Sequence, residues 1–151
     1  MKLYVPRLRL IDLKNYGLPA GFDEEIRGMP TNSQNPEEIA SQIVGLKQYS
    51  CVNLDPGTPL ERIPSDVEED ILNTLSNDGL WAMSKGVPDL LCWNDSSDYF
   101  FIEVKSEKGT LRRSQIEWME KFDSFRTYIG YVEVVDEVKE ENAEKVLEVT
   151  E

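Results

Sequence analysis

The run from Tyr99 to Lys105 constrains this chain more than any other stretch of its sequence. Strand side chains alternate with a period of two. Phe100, Ile102 and Val104 therefore share one face, and Tyr99, Phe101, Glu103 and Lys105 share the other. The first face is wholly apolar and must be covered. The second ends in a carboxylate beside an ammonium. Taken alone, this fits an edge strand showing a polar face, with Glu103 and Lys105 as a weak surface ion pair. The preceding residues change that. Gly86, Val87, Pro88 and Asp89 form a turn into the apolar run Leu90 to Trp93, and Asn94 to Asp98 is a second turn cluster. A hairpin centred near residue 96 sets Asp89 opposite Glu103. Two facing carboxylates repel, so the pair contributes nothing to a fold by itself. A divalent cation removes the penalty, because Mg²⁺ takes one or two carboxylates together with waters and phosphate oxygens. A nearby ammonium can then orient an attacking water and stabilise developing negative charge.

This chemistry suits a chain with no histidine. Zero histidines exclude a Ser-His-Asp triad, a Cys-His dyad and a His-ligated zinc. Two cysteines, Cys51 and Cys92, make no disulfide framework. Cys92 and Trp93 are expected in the core and at its rim, and Cys51 stands alone. No apolar run approaches a membrane span, and no secretory leader is visible at the N-terminus. With 151 residues, one domain with a proper core is expected. The net charge of −13 argues against nucleic acid, but the charge is unevenly spread. Residues 132–151 hold eight acids and two lysines, a net of −6. Lys2, Arg7, Arg9 and Lys14 make residues 1–14 locally positive, as Lys105, Lys108, Arg112 and Arg113 do for residues 104–113.

Proline and glycine punctuate the first sixty or so residues, which are expected to be irregular apart from one helix and a short strand between Leu3 and Leu13. The helix starts at an Asn35 cap with Pro36, Glu37 and Glu38 in its first turn, and carries Ile39, Ile43 and Leu46. From Ile63 the pattern is regular. Ser65 and Glu68 have capping-box spacing ahead of Val67, Ile71, Leu72 and Leu75. A possible strand at Leu80 to Met83 comes next, then the two hairpin strands. A helix from Leu111 to Ser124, a strand from Thr127 to Val135 and a short helix from Glu140 to Leu147 complete the chain. Gln115 falls on the apolar stripe of its helix, where a buried amide needs a hydrogen-bond partner. It either reaches solvent at the stripe's margin or holds a group at the carboxylate end of the sheet.

Pro88-Asp89, Glu103-Val104-Lys105 and Gln115 together resemble the PD-(D/E)XK nuclease superfamily, and more narrowly its VRR-NUC family. Gly86 to Asp89 matches a Gly-x-Pro-Asp turn, and Glu103 to Lys105 a Glu-Val-Lys strand end. Glu68 before Ile71, Leu72 and Leu75 is similar to the family's acidic residue in the first helix. The resemblance covers about residues 63–135. It implies an α/β fold with a restriction-endonuclease-like αβββαβ core, a central mixed sheet flanked by helices. The domain would occupy residues 63–151, behind an irregular N-terminal extension over residues 1–62.

The resemblance also implies Mg²⁺- or Mn²⁺-dependent hydrolysis of DNA phosphodiester bonds. Asp89, Glu103, the Val104 carbonyl and Glu68 would hold metal. Lys105 would act on the attacking water or the phosphorus, and Gln115 would support it. Lys108, Arg112 and Arg113 lie where they could take DNA phosphates. A homodimer acting on branched DNA, as Holliday junction resolvases do, is the expected assembly, inside a cell and possibly of viral origin. A flap or restriction-type nuclease, and a silent DNA- or protein-binding relative, stay open as alternatives, as does an acidic DNA mimic. The positive N-terminal segment could serve as a DNA clamp, a dimer interface or a cap over the sheet.

Overall fold

The computed structural model of the protein describes residues 3–54, 63–75, 86–106 and 109–138. Its elements run β1 (Leu3–Ile11), β2 (Glu25–Arg27), α1 (Pro36–Gly45), β3 (Ser50–Asn53), α2 (Ser65–Leu75), β4 (Leu90–Trp93), β5 (Tyr99–Ser106), α3 (Arg113–Lys121) and β6 (Thr127–Val138). The strand expected at Leu80 to Met83, the helix expected at Glu140 to Leu147 and Lys108 lie outside the described residues.

All the described strands join one sheet in the order β2-β1-β6-β5-β4-β3. The hairpin forms with the expected register, Leu90 opposite Ile102 and Trp93 opposite Tyr99. β5 is not an edge strand. It pairs antiparallel with β4 and parallel with β6, the crossover being made through α3. Its two faces are both used, so the apolar run Phe100, Phe101, Ile102 is fully buried.

Residues 3–54 are more ordered than their punctuation implies. β1 pairs with β6 along nine positions, and β3 pairs with β4. The sheet therefore crosses the boundary expected at residue 62, and the segment expected to be an irregular extension supplies three strands to it. Most of the turn-forming residues sit between these elements rather than inside them. Pro36, which opens α1, and Pro6, inside β1, are exceptions. Pro6 lies at a register shift in the β1–β6 ladder, where a missing N–H is tolerated, and its carbonyl accepts the Gly28 N–H at 2.8 Å. α1 starts as expected. The Asn35 side chain accepts the Glu38 N–H at 3.0 Å, and Pro36 takes the first helical turn.

Helices cover both faces. Ile39, Ala40, Ile43 and Val44 of α1 pack on Leu8, Leu90, Phe100, Ile102 and Tyr128. On the opposite face, Val67 and Ile71 of α2 and Trp118 and Met119 of α3 pack on Leu91, Phe101 and Ile129. Trp118 also stacks on Phe125, with ring centres 5.9 Å apart. Cys92 is fully buried and burial pushes its thiol up, while half-buried Cys51 faces it across β3 and β4 with the sulfurs 2.8 Å apart.

Candidate active site

The site lies on the α3 side of the sheet, where β4 begins and β5 ends. Gly86 opens the turn that leads into β4 with φ of +75°, a region open to glycine. A Cβ there would lie 2.1 Å from the Ser114 carbonyl oxygen in α3. The turn thus seats directly on the helix that carries Gln115. Gly86→Ala is expected to cost more than about 1 kcal/mol of stability, since both the positive φ and the contact forbid the methyl. Urea unfolding of the variant checks this.

Beyond the turn, two hydrogen bonds fix Asp89. Its carbonyl accepts the Leu54 N–H at 2.8 Å, extending the β3–β4 ladder by one bond. Its Oδ2 accepts the Val104 N–H at 2.8 Å. β4 ends its pairing with β5 at Leu90, so the Asp89 side chain satisfies the next backbone donor along β5. This holds one carboxylate oxygen against β5.

Glu103 is the unusual residue. It is 2% exposed, among the few buried polar residues of the described chain. Its Oε1 accepts the Gln115 Nε2–H at 2.6 Å and lies 3.6 Å from Lys105 Nζ. Its Oε2 is buried and accepts no hydrogen bond among the described residues. Burial, and next the negative charge of Asp89, push the Glu103 carboxyl up to about 8, while Lys105 pulls it down. Without a further positive charge, this group holds its proton at neutral pH.

Gln115 joins the set. Its Oε1 accepts both the Lys105 Nζ–H at 3.0 Å and the Arg112 N–H at 2.8 Å. One amide therefore orders a carboxylate, an ammonium and the start of a helix. Of the two possibilities for Gln115, the structure shows the second: it points at the carboxylate end of the sheet.

Asp89, Glu103, Lys105 and Gln115 are brought together as expected. The Val104 backbone is part of the set through its N–H. Glu68 is half-buried in the first turn of α2, and among the described residues no cluster of three or more carboxylate or thiol side chains gathers. Glu68 does not join Asp89 and Glu103. Arg112 and Arg113 are exposed at the start of α3, where Arg113 pairs with Glu117 at 3.1 Å.

A mixed sheet between helices, with Asp, Glu and Lys where one inner strand begins and its neighbour ends, is a restriction-endonuclease-like α/β core. The VRR-NUC domain family matches residues 33–136, and the chain belongs to that family, a nuclease domain family of the PD-(D/E)XK superfamily. No curated protein and no solved structure gives a significant match. The match opens at residue 33 rather than near 63, so its first helix is α1 and its first strand β3. Glu37 and Glu38 open that helix, and Glu68 opens the next. The Asn35-Pro36-Glu37-Glu38 cap was the sequence signal for this start.

Proposed function

We propose that the protein is a metal-dependent endonuclease that hydrolyses phosphodiester bonds in branched DNA and works as a homodimer. The buried Glu103 carboxyl carries this reading, with one oxygen tied to Gln115 and the other unbonded beside Asp89. A divalent cation fits these residues. They offer hard oxygen donors, an unsatisfied buried oxygen, and two acids whose repulsion a cation relieves. Asp89 and Glu103 would hold Mg²⁺ or Mn²⁺, with the Val104 carbonyl as a further donor. When bound, the ion would polarise phosphate oxygens and make water more acidic.

The chain's own groups do the rest. Lys105, held by Gln115, presents its ammonium to the attacking water and to the charge that develops on the phosphate oxygens. Gln115 keeps that ammonium and the Glu103 carboxylate in fixed relation. Arg112, Arg113 and Lys108 take flanking phosphates, an attraction that weakens as salt rises. A dimer presents two copies of the basic segment Lys105, Lys108, Arg112 and Arg113, and a symmetric junction suits a symmetric dimer. Among the described residues no helix is long and apolar enough to cross a membrane. We place the activity inside the cell, where the DNA is.

The test is cleavage of a labelled four-way junction, flap, linear duplex and single strand with Mg²⁺, Mn²⁺ or EDTA. Cutting is expected with either metal, on the junction first, and at the EDTA background for Asp89→Ala. A wild-type dimer that cuts nothing at low salt would sink the nuclease reading, and a flap cut ahead of the junction would replace the junction with a flap as substrate. In the same assay Glu68→Gln is expected to keep its rate within about threefold of wild type, because Glu68 forms no metal-holding group of three with the carboxylate pair.

A further inference from the structure

The face of the sheet that carries Glu103 and Lys105 continues across β6 and β1. In the parallel ladder Lys105 lies beside Tyr131, and in the antiparallel ladder Tyr131 lies beside Arg9. Neighbouring strands are about 4.8 Å apart, so Arg9 stands roughly 10 Å across the sheet from Lys105. The next residues in this direction are Arg7, opposite Glu133, and Arg27, opposite Arg7. Strand alternation puts all of them on one face.

These side chains are arranged rather than scattered. The Arg9 guanidinium lies over the Tyr131 ring, 5.0 Å from its centre. Glu133 accepts from Arg9 Nε at 2.9 Å and from an Arg7 terminal nitrogen at 2.8 Å, so one carboxylate locks both arginines. Those bonds hold the Glu133 carboxyl below its usual range. The Arg9 terminal nitrogens form no hydrogen bond with a described residue, and they are the donors that match a phosphate. Four cations, Arg7, Arg9, Arg27 and Lys105, share this face with three acids, Glu25, Glu103 and Glu133, on a chain that is otherwise strongly acidic. β1 and β2 precede residue 33, so the arginines are an addition of this chain to the matched domain.

We propose that this sheet face, centred on Arg9 stacked over Tyr131, binds the DNA strand that flanks the scissile phosphate. Charge complementarity selects the occupant, since a stacked, carboxylate-locked guanidinium beside an active-site ammonium suits a polyanion that continues out of the site. The inference rests on the nuclease reading for its placement, and its test is a binding measurement that does not need cleavage.

The experiment is fluorescence anisotropy with the labelled four-way junction in Ca²⁺, over a range of salt, on the full chain. Arg9→Gln is expected to raise Kd about five- to tenfold and to reduce the slope of log Kd against log salt by about one, the signature of one lost phosphate contact. Arg27→Gln, on an exposed side chain, should act in the same direction by about half as much on a logarithmic scale. Glu133→Gln removes a negative charge from the track and should tighten binding about threefold. Unchanged Kd and slope in Arg9→Gln and Arg27→Gln would overturn the inference even if the wild type cuts DNA well. A wild type that binds with this Arg9 dependence but never cuts would overturn the nuclease reading and leave the binding face standing. A wild type that binds no DNA would overturn both.

Discussion

In EDTA, raising the pH from 5 to 8 lowers the thermal midpoint of the wild-type protein, and Glu103→Gln abolishes most of that fall. The Glu103 carboxyl is pushed up to about 8 in the folded chain, by burial first and by Asp89 second. In the unfolded chain it titrates near 4.3. Between those values the folded state binds more protons than the unfolded one, so stability declines as pH rises and levels off above 8. Below about 4 both states hold the proton and the full stability is present. Each pH unit within the window is worth about 1.4 kcal/mol, so the fall is on the order of a few kcal/mol. For a chain of this size that is roughly 10 °C. Glutamine keeps a carbonyl oxygen to accept the Gln115 bond but has no charge to bury. Mn²⁺ added at pH 8 should raise the wild-type midpoint, because it binds the folded state alone, and should do little for Glu103→Gln. Parallel pH curves for the two proteins would show that Glu103 is not the buried acid of this fold.

The local half of this site was legible in the sequence because its geometry is set by neighbours in the chain. Period-two alternation put Glu103 and Lys105 on one face, and turn chemistry fixed the hairpin that brings Asp89 to them. Gln115 stood out as an amide on an apolar stripe. The missed half is non-local. Nothing near Leu3 says that it will pair with residues beyond Thr127, and the prolines and glycines that separate β1, β2, α1 and β3 look locally like disorder of pattern. With α1 and β3 not recognised as core elements, the first regular helix, α2, took the place of the first core helix. The acidic residue expected in the first core helix was accordingly placed in α2, at Glu68. The arginine pair on Glu133 was illegible for the same reason, since it joins residues more than 120 positions apart.

Lys105→Met is expected to lower kcat on the best DNA substrate by about 10²–10³, the usual effect of removing one donor aimed at developing charge. The side chain is only 13% exposed, and its ammonium is held between Gln115 Oε1 at 3.0 Å and Glu103 Oε1 at 3.6 Å. Lys105→Arg should not restore the rate. A planar fork cannot take the place of a point charge in a slot built around one amide oxygen. Losing the ammonium also removes the main influence that pulls the Glu103 carboxyl down, so residual activity should need a higher pH than the wild type does. Gln115 touches no reacting atom in this scheme and acts by positioning. Gln115→Ala is therefore expected to cost about 10- to 100-fold, as loss of a supporting hydrogen-bond partner does. The decisive comparison is the double variant. If Gln115 works through Lys105, the combined loss falls well short of the product of the single losses, because one group cannot be misplaced after it has been removed. A fully multiplicative loss would mean that the two side chains act independently, and that the amide's service to Glu103 outweighs its service to Lys105.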